Sequence, residues 1–169
     1  MAQTQVKRPA VLCAVQDSPV AFDLEASLQR LATLTKEAAG RARKVAQDKW
    51  GPHISPEILV VFPEAFLSAY PRGMDFGATI GSRTDAGRQW FRRYVESSLP
   101  VSDVQGSQMT AILDAAKSNG VTLVVGAIER CDGKSTGPDR SKWGAPEKGG
   151  SGTLYCKSKC DLRLEFALN

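Results

Sequence analysis

Glu64 is the residue whose type and setting best suit proton chemistry. It follows ILVVFP directly, which puts a carboxylate at the carboxyl end of a continuous apolar run that reads as a buried strand. Open α/β sheets form their ligand crevices at such strand ends. Between Phe62, Phe66 and Tyr70, the carboxylate is expected to be partly desolvated. Desolvation disfavours its charged form and moves its pKa toward the range useful to a general base. The plainer reading is a salt-bridged or helix-capping glutamate.

Other constellations carry less. The segment GKST at Gly133 to Thr136 follows a strand, but a phosphate loop needs a glycine where Ile128 stands, and no helical pattern follows to offer an N-terminus. A flexible surface loop is the better reading. Cys156 and Cys160 are four apart without a second cysteine pair, and His53 is the single histidine. A closed zinc site needs four ligands, so no metal site is expected. Ser-His-Asp catalysis would depend on the same His53, which lies in a Pro-flanked loop, and no G-x-S-x-G elbow occurs. Trp90, Phe91 and Tyr94, at helical spacing, read as core or interface residues.

Positioning Glu64 requires a sheet. PAVLCAVQ, from Pro9 to Gln16, is a short apolar run stopped by Asp17-Ser18-Pro19, which fits a first strand. From Asp23, a plausible N-cap, the period becomes helical: Leu24, Leu28, Leu31, Leu34 with Thr35, Ala38, Ala42 and Val45. Gly40 weakens this helix, which is expected to end or fray near it. WGPHISP breaks the chain before the strand Ile58 to Phe62, whose unbroken apolar character implies a parallel sheet covered by helices. Thr84 or Asp85 caps a helix through Tyr94. Another spans about Gly106 to Ser118, with Met109, Ile112, Leu113 and Ala116 as its stripe and Asn119-Gly120 as its stop. Val121 to Ile128 reads as a third buried strand, and Gly152 to Cys156 as a short one. The order is that of an α/β fold.

Composition narrows the class. The 169 residues are 42% hydrophobic and 24% charged, which excludes disordered, collagen-like and coiled-coil chains. The length suits one domain or part of a larger one. The net charge of +4 is interleaved with acids, so a solvated surface is expected and no nucleic-acid footprint. No apolar run reaches the roughly 20 residues of a membrane span, and no export signal precedes the four cysteines. They are read as free thiols in a soluble, cytoplasmic chain.

Three phrases then resemble a known family. VLCAVQDSPVAFDLEASLQRL, ILVVFPEAFLSAYPRGMDFG and VTLVVGAIER are similar to the amino-terminal part of the nitrilase (carbon–nitrogen hydrolase) superfamily, in its nitrilase and cyanide hydratase branch. FPEAFLSAYPRG is the specific element. The likeness runs from Val11 to about Cys156, with an apparent insertion around Arg41 to Ser55. It implies the amino-terminal portion of an αββα sandwich over residues 1–156 and a divergent tail over residues 157–169.

The resemblance also implies a chemistry. In that family a cysteine attacks the nitrile carbon to give a thioimidate, which is hydrolysed with release of ammonia. A glutamate takes the thiol proton and a lysine stabilises charge on the substrate nitrogen. A base is needed because a free thiol is mostly protonated at neutral pH. Glu64 matches the family glutamate, and Tyr70 is expected near the substrate pocket. The lysine and cysteine belong to KHRK-like and CWEN-like phrases, whereas this chain reads KSKCDLRLEFALN. Lys157, Lys159 and Cys160 therefore take no family role, and Cys156 and Cys160 make poor stand-ins. The expectation is a truncated hydrolase of nitriles, inactive alone, without a cofactor, acting on a small-molecule nitrile and homo-oligomeric as its family is. The alternatives are a non-catalytic fragment or binding subunit that joins full-length relatives, and an amidase-like member. A sandwich cut near its middle would also be aggregation-prone.

Overall fold

The computed structural model describes residues 8–69, 78–79, 82–101, 103–130 and 154–156. Strand β1 (Ala10–Ala14) leads into helix α1 (Leu24–Trp50), and strand β2 (Glu57–Val61) follows. Two short strands, β3 (Ala78–Thr79) and β4 (Ser82–Arg83), pair antiparallel. Helices α2 (Asp85–Glu96) and α3 (Ser107–Asn119) precede strand β5 (Thr122–Val124). Strand β6 (Ile128–Arg130) pairs antiparallel with β7 (Leu154–Cys156). The mixture of helices with a parallel sheet is the α/β class expected.

The central sheet has the order β1-β2-β5 and is parallel throughout. Its strands advance in one direction, so right-handed crossovers put their helices on one face. Helices α1 and α3 accordingly pack on each other, and α1 lies against β1 and β2. Leu28, Leu31, Ile58, Val60, Met109, Ile112 and Leu123 share this core. The other face is the more exposed one among the described residues. Leu12 is 68% exposed, and its partner in register, Leu59, is half-buried.

Local signals place the helices. Asp23 caps α1, its Oδ1 accepting from the Ala26 N–H at 2.9 Å. Thr84 caps α2 by accepting from the Gly87 N–H at 3.1 Å. Gly120 ends α3 in the left-handed region, with φ of 56°, where glycine carries no Cβ penalty.

Several expectations need correction. Helix α1 does not end at Gly40 but continues to Trp50. Gly40 lies on its exposed side, where packing of the opposite face outweighs a propensity cost of about 1 kcal/mol. The buried stripe beyond Thr35 is Ala39, Ala42 and Ala46, while Val45 is 52% exposed. A 3.6-residue period drifts by one position over that length. Of the α2 aromatics read as core or interface, Tyr94 joins the core, while Trp90 and Phe91 are exposed, which leaves them the interface half of that reading. The stretch read as one strand from Val121 to Ile128 is two, interrupted between Val124 and Ile128. Among the described residues no helix is long and apolar enough to cross a membrane.

Candidate active site

Parallel strands point their carboxyl ends the same way, so the exits of β1, β2 and β5 share one edge of the sheet. Glu64 lies at that edge, in the turn that leaves β2. Pro63 stops the ladder because it has no N–H to donate. Phe62 and Phe66, on either side, are 5% and 0% exposed and pack against each other with ring centroids 4.7 Å apart. The rings go inward and Glu64 goes outward: its side chain is exposed. The desolvation expected from its aromatic neighbours is therefore absent at the two described rings, which belong to the core beneath the turn. Tyr70 lies outside the described residues.

The turn is tied down on three sides. Toward β5, the Phe62 N–H donates to the Val124 carbonyl at 2.8 Å and the Leu67 N–H to the Gly126 carbonyl at 3.0 Å. Leu67 and Ala127 form a parallel bridge. Toward the loop before α1, the Phe22 N–H donates to the Ser68 carbonyl at 3.3 Å. Toward the end of α2, the buried Ser68 hydroxyl donates to the Ser97 carbonyl. Inside this frame Ala65, Ser68 and Ala69 have φ of 51°, 97° and 65°. Non-glycine residues rarely adopt such values, and each costs of order 1–3 kcal/mol. Such strain concentrates where a site must be held in shape.

The family model that matches this chain is that of the carbon-nitrogen hydrolases, over residues 12–141. The chain belongs to the carbon–nitrogen hydrolase family. Within it, the chain is similar to an aliphatic nitrilase of Sinorhizobium fredii, 38% identical over 142 residues that make up 84% of this chain and 34% of the relative. It is also similar to a bifunctional nitrilase/nitrile hydratase of Nicotiana tabacum, 38% identical over 69% of this chain and 28% of the relative. Nitrilase 3 of Arabidopsis thaliana is 36% identical over 69% of this chain and 29% of its own length. The chain thus spans about a third of the length of the curated relatives it matches.

Other site candidates of this carbon–nitrogen hydrolase chain separate clearly from Glu64. Cys13, on β1, is half-buried, and its thiol lies 3.8 Å from the Ala38 carbonyl on α1. Burial pushes its pKa up, the opposite of what an activated nucleophile requires. Gly133 to Thr136, Cys131, Lys157, Lys159 and Cys160 lie outside the described residues, and so does the side chain of Cys156. No group of three or more metal-ligating side chains occurs among the described residues. Two residues escaped the sequence reading. Glu129 is 2% exposed despite its charge, and its place in an AIER run resembling a buried strand was the available signal. Gly126 lies directly under the Glu64 turn, and no local pattern marks that.

Proposed function

We propose that this chain is the amino-terminal portion of an αββα nitrilase that hydrolyses nitriles to carboxylic acids and ammonia, with Glu64 as its general base. The placement of Glu64 carries this reading: a carboxylate held by a strained, three-sided frame at the carboxyl edge of a parallel sheet, in a chain that matches nitrilases. An exposed carboxylate at a strand end is accessible to a thiol and a substrate brought to that edge. The proton moves from the thiol to Glu64, and the thiolate then attacks the nitrile carbon. The family's KHRK-like and CWEN-like phrases do not occur in this sequence, so the reading assigns a role to Glu64 and none to a lysine or a cysteine of this chain. The chain by itself is expected to be inactive. Tyr70 borders the substrate, and no cofactor takes part. The more exposed face of β1-β2-β5, which carries Leu12, is where the second sheet of the sandwich packs.

A chimera tests this reading. The matched segment of the Sinorhizobium fredii nitrilase is replaced by this chain's residues 11–156 and ammonia release from aliphatic nitriles is followed. The chimera is expected to turn over, and Glu64→Gln to slow it by about 10²–10⁴-fold, the usual worth of a general base. A Glu64→Gln chimera with an undiminished rate would overturn the assignment.

The more exposed sheet face also favours a second reading, a non-catalytic subunit that binds full-length relatives. Co-elution of the chain with a full-length relative, without any change in that relative's turnover, would select it. An amidase-like activity is disfavoured by the AYPRG phrase and would appear as amide consumption by the chimera.

A further inference from the structure

We propose that Gly126 is a positioning residue for Glu64, forming a floor without a side chain on which the Glu64 backbone rests. The inference builds on the reading of Glu64 as the base. A Cβ at position 126 would lie 2.6 Å from the Ala65 nitrogen, 2.7 Å from the Pro63 carbonyl oxygen and 2.8 Å from the Glu64 Cα. All three distances are well inside the roughly 3.5 Å at which heavy atoms pack favourably. Every obstructing atom is backbone, so no rotamer change can relieve the contact.

Backbone conformation does not explain this glycine. Positive φ occurs among the described glycines at Gly51 and Gly120, not at Gly126. Its φ lies outside the left-handed region that favours glycine, so what the site demands is space. The contact is also pinned from both sides. Phe62 N–H to Val124 carbonyl and Leu67 N–H to Gly126 carbonyl bracket the turn, so residues 63–66 cannot rise off the floor without breaking a hydrogen bond. The interruption between β5 and β6 falls at this point, where the sheet gives way to seat the turn. Gly40, with no atom within 4 Å of a Cβ, is the matched control.

NMR on the full chain, with glutamate labelled at 13Cδ, tests the assignment. Wild-type protein is expected to show a cross-peak between Gly126 Hα and the Ala65 amide proton, and its absence overturns the proposal. The Glu64 signal is assigned by its loss in Glu64→Gln. In Gly126→Ala that signal is expected to shift, while those of Glu25 and Glu37 on α1 stay fixed. Gly40→Ala should move none of them. A Glu64 signal in folded Gly126→Ala that superimposes on wild type overturns the proposal. Should Gly126→Ala fail to fold, the wild-type cross-peak decides. Failure of the base assignment looks different: a Glu64→Gln chimera would keep its turnover while the cross-peak and the signal shift persisted.

Discussion

The helix-covered face of the sheet and the turn that carries Glu64 are stabilised in opposite ways. Around α1 and α3, Gly40 apart, the segments adopt conformations their residues favour: a helix start capped by Asp23, apolar strands and a left-handed glycine stop at Gly120. None of the non-glycine residues with positive φ lies in those helices or strands. In the turn from Pro63 to Ala69, three do. The turn is therefore held by what surrounds it, through Phe66 and Leu67, both 0% exposed, and through hydrogen bonds to Gly126, Phe22 and Ser97. Local preference builds the scaffold, and the scaffold imposes an unfavourable shape on the turn that carries Glu64.

The largest test removes the tie between the two regions. Phe66→Ala deletes a fully buried ring that belongs to the turn in sequence and to the core in packing. The expected loss is about 3–5 kcal/mol, a large part of the 5–15 kcal/mol that typical domains possess. Urea unfolding followed by circular dichroism measures it. A loss below about 1 kcal/mol would mean that the turn folds independently of the core, and the contrast would collapse.

A smaller test reverses sign between the regions. Ala32 is exposed in the middle of α1, and Ala32→Gly should cost about 1 kcal/mol in helix propensity. Ala69 sits at φ of 65°, where glycine escapes a penalty of roughly 1–2 kcal/mol that a Cβ incurs. After the extra chain entropy of glycine, about 0.5–1 kcal/mol, Ala69→Gly should stabilise by up to ~1.5 kcal/mol. The same chemical change thus moves the unfolding midpoint in opposite directions. Equal destabilisation at both sites would remove the strain from the account.

The two regions also differ in how far they could be read from sequence. Asp23, Thr84 and Gly120 act within a few residues of themselves, so their capping roles were visible, as was the apolar run that becomes β2. Val45 was misassigned because a long helix reveals its buried face only through what packs on it. The exit of β2 was visible from Pro63, and Glu64 with it. The outward turn of Glu64 was not, because Phe62 and Phe66 look like its walls in sequence and are its foundation in space. Gly126 is 62 positions from Glu64 and contacts it only through the fold. Such a tertiary demand, written in a single glycine, has no periodicity to betray it.

The smallest effect is at the neighbouring exit, from β1. There Asp17 and Arg30 form an ion pair, with Arg30 Nη2 2.7 Å from Asp17 Oδ1. The loop before α1 is fastened by exposed charge, where the Glu64 turn is fastened by burial. The hydrogen bond from the Arg30 side chain, helped by the Ser18 N–H and by the Arg30 charge, lowers the Asp17 pKa, and the same contact raises that of Arg30. A carboxylate whose pKa is depressed by folding contributes stability that is present above its unfolded value of about 3.9 and lost as pH falls through the folded value. Asp17→Asn should therefore be slightly less stable than wild type at neutral pH, as for an exposed pair, and converge with it below about pH 4, which flattens the acid side of the stability profile. Salt at about 1 M shortens the Debye length to about 3 Å and should mimic the variant. Thermal melts at several pH values compare the two. If Asp17→Asn leaves the acid slope as steep as in wild type, the ion pair does not hold this loop, and both exits of the sheet must be fastened by packing.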